Sequence, residues 1–242
     1  MLTINNKSDI AEIYLSGEIV DDTDGGAIAY WRDGDSSGYE FPAKLKSQLD
    51  EVSDKELEIH INSCGGNVFA GIAMANFIKN HKAPTTCIVD GIAASIASQI
   101  FFSADVCKIP ANCYLMLHKP FTSILGNADD LRKAADTLDK IQQGLESTYL
   151  SKLQDGMSGD DLKKMMNDET WLTGTEAAQK FQVELLEPVK ILNCVGRKDI
   201  LKAMGISNVP PSLNFLDKST LQKEDEDKLR IALSRAKGVL LE

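Results

Sequence analysis

A single serine hydroxyl among small residues is the feature of this chain best suited to chemistry. Ser95 lies within the segment Asp90–Ser98, whose other members are mostly glycine, alanine and isoleucine. Small neighbours let the backbone turn sharply and let a substrate carbonyl come close, as an attacking nucleophile requires. Ser95 is therefore the candidate nucleophile, and His118, in the downstream segment 116–120, is its candidate general base.

Attack by a serine on a carbonyl also needs backbone N–H groups that stabilise the oxyanion. Gly65 and Gly66 follow a predicted strand and expose their peptide groups, so we expect the N–H groups of Gly66 and Ile96 to be the donors. Each signal has a plainer interpretation when taken alone. A Gly-Gly pair is usually only a turn, and a serine among alanines usually packs one helix against another.

The chain has only three histidines, so there are few candidates for a general base. His60 falls in a predicted strand and His81 in a polar turn, and both are expected to be structural or solvated. A single histidine at the end of a strand is also more often structural. The combination of Ser95, His118 and the glycine pair is what favours catalysis.

Composition narrows the function further. The 242 residues carry a net charge of −10, which opposes binding to nucleic acid or to an anionic membrane surface. The amino-terminal segment 1–7 lacks the apolar centre of a secretory signal, and the densest apolar run, 91–102, is too short to cross a bilayer. Five cysteines without CxxC spacing argue against a disulfide framework or a zinc site. We expect a soluble cytoplasmic protein.

Strand and helix patterns alternate along the chain, which predicts an α/β fold with a layered sheet and crossover connections. The segment 21–37, rich in Asp, Gly and Ser, is predicted as a loop, and 93–102 as a helix of small residues. An apolar stripe over 128–153 predicts a long helix that projects from the core, packing against another subunit or lying on the surface as an ordinary helix. We expect one domain over 1–194 and a partly helical extension over 195–242.

Four segments together resemble the ClpP family of serine peptidases, most nearly its phage and prophage branch. The resemblance covers roughly residues 10–192, and its motifs occur in the family's order at compatible spacing. The segments are Ile61–Val68, Gly91–Ala97, Leu115–Pro120 and Glu169–Thr173.

The resemblance implies that Ser95 is the nucleophile, that His118 is the base, and that Gly66 and Ile96 donate to the oxyanion. It implies a crotonase-like α/β fold of repeated β-β-α units, with the long helix as a handle between two stacked rings. Homo-oligomeric rings of seven subunits, paired as a tetradecamer, would enclose the sites and receive unfolded polypeptides from an AAA+ Clp ATPase. No metal or cofactor is expected in this chain, and ATP would be used only by the partner.

Two departures from the family pattern stand out. The proline that usually precedes the glycine pair is Cys64 here, which is expected to loosen the turn without removing the glycine donors. The acid of the triad is less clear, because the register before Trp171 puts Asn167 at the matching position with Asp168 beside it. Either side chain can accept the imidazole N–H, but only Asp168 would stabilise an imidazolium by its charge.

Three functions therefore remain open from the sequence. The first is a self-compartmentalising serine endopeptidase that cleaves unfolded polypeptides or phage structural proteins through an acyl-enzyme. The second is an acyl-CoA-processing enzyme of the related crotonase fold, which would leave the pair of Ser95 and His118 without a purpose. The third is a noncatalytic ring or assembly component whose site is vestigial.

Overall fold

A computed structural model of the chain describes residues 2–3, 9–189 and 209–210. These residues form nine strands and seven helices, and the order of the two types follows the predicted α/β alternation. The strands are β1 Leu2–Thr3, β2 Ile10–Ile19, β3 Gly38–Glu40, β4 Glu56–Gly66, β5 Thr85–Ala94, β6 Val106–Pro110, β7 Tyr114–Leu117, β8 Thr170–Thr173 and β9 Glu184–Leu186. The helices are α1 Asp22–Trp31, α2 Pro42–Glu51, α3 Val68–Lys79, α4 Ile96–Phe101, α5 Ala128–Leu150, α6 Gly159–Asn167 and α7 Gly174–Lys180.

The strands form one mostly parallel sheet with the order β1-β2-β4-β5-β6-β9. Strand β7 also pairs with β5 in parallel, and β8 pairs with β7 antiparallel. The carboxyl ends of β4, β5 and β7 therefore meet at one region of the sheet. Ligand sites in open parallel sheets form at such strand ends, so this region is where a site is expected.

One face of the sheet carries the main core. Residues along β2 alternate between buried and half-buried, and β4 starts with the same alternation. The buried set packs against helices α2, α3 and α4, with Ile13, Ile59 and Val89 fully enclosed between sheet and helices. The fold class predicted from the sequence is confirmed, because period-2 strands and period-3.6 helices bury complementary faces.

The segment 21–37 is not the loop that the sequence predicts, because it contains helix α1. Asp21 caps this helix by accepting hydrogen bonds from the N–H groups of Thr23 and Asp24. Gly25, a residue usually unfavourable in helices, is buried where a β-carbon would lie 2.4 Å from the ring of Phe41. The glycine is needed for close packing, and tertiary contact overrides its weak helix propensity.

Helix α5 ends at Leu150 rather than at the predicted position 153. Of its apolar stripe only Leu145 and Tyr149 are buried, and both lie in the last two turns. Leu131, near the start, is 47% exposed. The helix is anchored to the core at its carboxyl end, and its amino-terminal half is mostly exposed.

Four cysteines, Cys64, Cys87, Cys107 and Cys113, are buried as free thiols. Burial raises the pKa of the Cys107 thiol to about 11 and that of Cys113 to about 12. Among the described residues no helix has the length and apolar character needed to cross a membrane. Apart from residues 209–210, the predicted extension over 195–242 lies outside the described residues, so the domain division stays a prediction.

Candidate active site

Ser95 occupies a sharp turn between a strand and a helix. Strand β5 ends at Ala94, helix α4 begins at Ile96, and Ser95 between them has φ 55° and ψ −131°. A side chain with a β-carbon rarely adopts this conformation, which costs about 1–3 kcal/mol and persists only where the surroundings enforce it. The N–H of Ser95 donates to the carbonyl of Met116 at 3.0 Å, which ties the turn to strand β7.

His118 lies beside this turn because β5 and β7 are neighbouring parallel strands. Ala94 pairs with Met116, so the residues just beyond the two strand ends meet. The distance from Ser95 Oγ to His118 Nε2 is 2.7 Å. At this distance the hydroxyl can donate its hydrogen to the imidazole, which is the contact that general-base activation of a serine requires.

The imidazole of His118 is held in its neutral form by its surroundings. Burial lowers the pKa of His118 below its usual value, and the negative charge of Glu169 partly opposes this effect. A neutral imidazole at neutral pH is free to accept a proton, whereas an imidazolium is not. The site therefore has its base in the reactive protonation state.

The two sequence candidates for the third position lie at the end of helix α6 and face solvent. Asn167 is exposed, and Asp168 is the C-cap residue of the helix. The Asp168 carboxylate accepts a hydrogen bond from Lys164 Nζ at 2.5 Å, and the side chain is 54% exposed. The structure does not bring Asp168 to the imidazole, because its carboxylate is turned along the helix toward Lys164.

The negative charge that opposes the effect of burial on the pKa of His118 comes from Glu169, a residue that the sequence patterns do not single out. Strands β7 and β8 pair antiparallel with Leu117 opposite Thr170, so His118 and Glu169 are the next residues of the two chains beyond this last pair. Glu169 adopts a left-handed backbone conformation, with φ 51°, in the turn before β8. Pairing the two predicted strands antiparallel would have revealed this acid, whereas counting back from Trp171 led to Asn167.

The glycine pair lies against the same turn. A β-carbon on Gly65 would stand 2.8 Å from Ser95 Cβ and 3.1 Å from the Ile96 nitrogen, and one on Gly66 would stand 2.0 Å from the Ile19 carbonyl oxygen. Both residues have positive φ, 92° and 150°, so only glycine fits either position well. The backbone of β4 thereby approaches the nucleophile closely enough to line the space around a bound carbonyl.

The two glycines differ in how their N–H groups are used. Ser63 Oγ accepts a hydrogen bond from the Gly65 N–H at 3.1 Å and donates to the Gly17 carbonyl at 2.5 Å. The Gly65 N–H is therefore committed within the turn, which leaves Gly66 as the glycine to consider as an oxyanion donor. Cys64, in the usual place of proline, is 2% exposed and packs in a small apolar cluster with Met116.

A cleft of about 230 Å³ opens beside Gly66. Its wall includes Phe121, whose ring centre lies 6.0 Å from that of His118, and the carboxylates of Glu18, Asp21 and Asp24. Within the described part of the chain, no group of three or more His, Cys, Asp or Glu side chains is arranged to hold a metal ion.

The other two histidines have partners away from the serine. His60 stacks on Tyr14 with ring centres 4.7 Å apart, and its Nδ1 lies 2.7 Å from a carboxylate oxygen of Asp90. His81 Nε2 lies 2.8 Å from the carbonyl oxygen of Lys55. Both arrangements are the structural ones that the sequence analysis expected.

Comparison with known proteins identifies the family of the chain. Residues 41–181, well over half of the chain, match the Clp protease family. The chain belongs to the Clp protease family. The matched span includes Gly66, Ser95, His118 and Glu169.

Two relatives carry the name ATP-dependent Clp protease proteolytic subunit 1. The protein of Chlamydia abortus is 33% identical over 125 residues, which cover 48% of this chain and 62% of the relative. The protein of Protochlamydia amoebophila is 32% identical over 139 residues, which cover 53% of this chain and 65% of the relative. The chain thus spans a little under two thirds of the length of these Clp relatives. The phage branch of the family stays a prediction.

Proposed function

We propose that this chain is the proteolytic subunit of a Clp-type serine endopeptidase. The observation that carries the proposal is the 2.7 Å contact between Ser95 Oγ and His118 Nε2, at a serine whose strained turn lies against the glycine pair. The pair of names on the relatives, both proteolytic subunits, supports the same reaction class. An acyl-CoA-processing enzyme would leave this hydrogen bond without a role.

The first half of the reaction forms an acyl-enzyme. Ser95 Oγ attacks the carbonyl carbon of the scissile peptide while its proton passes to His118 Nε2, and the carbonyl oxygen becomes an oxyanion. The N–H groups of Gly66 and Ile96 donate to that oxyanion. The tetrahedral adduct then collapses, the C–N bond breaks, and His118 returns the proton to the departing amine.

The second half releases the acyl group by the same steps in reverse order. A water molecule takes the place of the amine, His118 accepts a proton from it, and the resulting hydroxide attacks the ester carbon. The second adduct collapses with cleavage of the bond to Ser95 Oγ, and the proton on His118 returns to that oxygen. The carboxylic acid product leaves and the site is restored.

Glu169 takes the role of the orienting acid in this proposal. Its charge raises the pKa of His118 against the opposing effect of burial, so it stabilises the imidazolium that forms during each half-reaction. Asp168, paired with Lys164, and Asn167, exposed at the helix end, are not needed for this role.

Assembly and partners follow from the family as further parts of the proposal. The amino-terminal half of α5, with Leu131 exposed, is suited to packing against another copy of the chain. Rings of seven subunits, stacked in pairs, would enclose the sites, and an AAA+ Clp ATPase would deliver unfolded polypeptides. Phage structural proteins are a second substrate class, and a cytoplasmic location is retained as a prediction.

Covalent labelling tests the chemistry. A fluorophosphonate or a β-lactone should modify Ser95, and peptide mapping by mass spectrometry should locate the adduct there. Ser95→Ala should abolish labelling and turnover of a fluorogenic peptide, and His118→Gln should slow both. Ser103→Ala is the matched control, because Ser103 is a half-buried serine two residues beyond the carboxyl end of α4.

The outcomes separate the three functions. Labelling at Ser95 with peptide turnover supports the endopeptidase. Tight binding of acyl-CoA thioesters without peptide turnover would instead support an acyl-CoA-processing enzyme. Native mass spectra that show rings, together with no labelling and no turnover, would instead indicate a noncatalytic assembly component.

A further inference from the structure

A chain of buried hydrogen bonds connects helix α5 to the catalytic serine. Ser98 Oγ lies 2.5 Å from the carbonyl oxygen of Ser95 and 2.7 Å from the hydroxyl oxygen of Tyr149. Ser98 is fully buried and Tyr149 is 2% exposed, so water does not compete for these contacts. None of the catalytic steps described above uses either side chain.

The direction of the hydrogen bonds follows from the groups involved. A carbonyl oxygen only accepts, so the Ser98 hydroxyl must donate its single hydrogen to Ser95. The Tyr149 hydroxyl must then donate to Ser98 Oγ. The result is a one-way chain from Tyr149 through Ser98 to the Ser95 carbonyl.

The polar contacts are unusual for the apolar surroundings of α4. Tyr149 packs edge-on against Phe102 with ring centres 5.8 Å apart, so its ring lies in apolar surroundings. A second polar tie lies beside it, where Gln99 Nε2 donates to the Leu145 carbonyl at 2.9 Å. Buried polar groups cost stability unless they are paired, so two such ties indicate that the position of α4 is specified rather than merely packed.

The Ser95 carbonyl matters because it shares a peptide unit with the Ile96 N–H. A trans peptide is planar, so its C=O and N–H point in opposite directions and turn together. The Ser95 carbonyl accepts from the Ser98 N–H at 3.0 Å as well as from Ser98 Oγ. Two donors on this oxygen fix the peptide plane, and with it the direction of the Ile96 N–H.

We infer that Tyr149, acting through Ser98, positions the Ile96 N–H as an oxyanion donor. This inference rests on the proposed peptidase function. Tyr149 touches no reacting atom, so it is a positioning residue. A poorly aimed donor stabilises the transition state less but changes substrate binding little. The effect is therefore expected on kcat rather than on KM.

A double-mutant cycle tests the inference on the full-length protein. Ser98→Ala removes one of two donors to the Ser95 carbonyl, so kcat for a fluorogenic peptide should fall about tenfold, less than the 10²–10³ typical of losing an oxyanion donor outright. Tyr149→Phe should lower kcat about threefold, and KM should stay within about twofold in both variants. Because we assign the effect of Tyr149 on kcat to its bond with Ser98, and not to its second hydrogen bond with Gln99, the double variant should match Ser98→Ala alone.

Two further measurements separate positioning from general damage. Ser103→Ala is the matched control, since Ser103 Oγ makes the same type of bond to the carbonyl three residues back, Ile100, at 2.7 Å. It should leave kcat unchanged. A peptide boronate, which forms a tetrahedral adduct with the serine, should bind more weakly to the Ser98 and Tyr149 variants by the same factor as their loss of kcat.

Each result decides the inference. Absence of turnover and of Ser95 labelling in the wild-type protein overturns the proposed function and this inference together. Wild-type turnover with unchanged kcat in both variants, or with additive losses in the double variant, overturns only the inference. So does a loss of kcat that accompanies a smaller native mass, because α5 would then act through assembly.

Discussion

At the scale of single residues, the site depends on two side chains held in unfavourable backbone conformations. Ser95 and Glu169 both have positive φ, 55° and 51°. Such conformations cluster at functional sites because surrounding contacts impose them. Here the contacts are the pairings of β7 with β5 and with β8, because Ser95 directly follows the first of these neighbouring strands and Glu169 directly precedes the second.

The pH dependence of turnover should identify the acid. Because burial lowers the pKa of His118, the acidic limb of kcat/KM should lie below the ordinary histidine value of about 6.5. Glu169→Gln removes the negative charge that favours the imidazolium, so the pKa of His118 should fall further. The limb should move to lower pH while the plateau of kcat decreases, as measured by a pH–rate profile.

Asp168→Asn is the matched control for that profile. Asp168 is adjacent in sequence, has the same charge, and is paired with Lys164. We expect its acidic limb and its kcat to equal those of the wild type within about twofold. A displaced limb in Asp168→Asn with a normal one in Glu169→Gln would give the role to Asp168, one of the two candidates from the sequence.

The backbone strain at Ser95 should be measurable as a difference in the free energy of unfolding between two variants. Ser95→Gly and Ser95→Ala both remove the hydroxyl and the bond to His118, but only glycine relaxes the backbone at φ 55°. We expect Ser95→Gly to have a free energy of unfolding about 1 kcal/mol above that of Ser95→Ala, the strain relieved less the entropy cost of glycine. Urea unfolding of the two inactive variants makes the comparison, and equal stabilities would show that the turn is not strained.

At the scale of elements, helix α5 has two parts with different surroundings. Its last turns are fixed to α4 through Leu145 and Tyr149, whereas Leu131 and its neighbours lack burial in the single chain. An amphipathic stripe that continues beyond the core is typical of a helix that meets a partner. The anchored end then connects the candidate interface to helix α4, which begins directly after Ser95.

Charge placed on the stripe should weaken assembly. Leu131→Glu puts a carboxylate on the exposed apolar face, so the native mass should shift toward smaller species. Lys140→Glu is the control, because it reverses a charge on the opposite face of the same helix and should leave the mass unchanged. A Leu131 variant that assembles like the wild type would contradict the role given to this stripe.

Replacing glycine by alanine should have opposite effects at two positions, stabilising the fold at one and abolishing activity at the other. Gly144 lies within α5 with open space where a β-carbon would be, so Gly144→Ala should stabilise the fold by about 0.5–1 kcal/mol without loss of activity. Gly65→Ala should abolish turnover, because its β-carbon would lie 2.7 Å from the Ala94 carbonyl oxygen. Thermal unfolding and a peptide assay give both answers.

The sequence predicts much of this architecture, and the exceptions have physical causes. Alternating strand and helix patterns give the fold class because they record which faces are buried. The sequence pattern predicts that the helix begins at residue 93, whereas β5 continues to Ala94, because a run of small apolar residues does not distinguish strand from helix. The pairing of β7 with β8, which sets Glu169 beside His118, is a long-range contact that local patterns do not contain.

At the scale of the whole molecule, the two faces of the sheet differ in chemistry. One face is the apolar core under the helices, and the other carries the stack of Tyr14 on His60 with the carboxylates of Glu58 and Asp90. Burial alone would lower the pKa of His60, but hydrogen bonds and charge from Asp90, with Glu58 next, raise it overall. Protonation of His60 on this face therefore contributes to the stability of the fold.

The stability of the protein should depend on pH through His60. The folded state binds this proton more tightly than the unfolded chain, so the stabilisation is complete below about pH 6.5 and is lost as pH rises through the raised pKa. His60→Gln should therefore cost more stability at pH 6 than at pH 8.5 in urea unfolding. Equal costs at the two pH values would show that the proton on His60 does not stabilise the fold.

The rate at which the buried thiols are alkylated should report how often the core opens. Alkylating reagents attack thiolates, and raised pKa values of about 11 at Cys107 and about 12 at Cys113 leave almost none in the closed protein at neutral pH. Iodoacetamide can therefore modify these two peptides only during moments when sheet and helices separate. The alkylation rate of each cysteine peptide would measure the frequency of those separations in the native protein without any added denaturant.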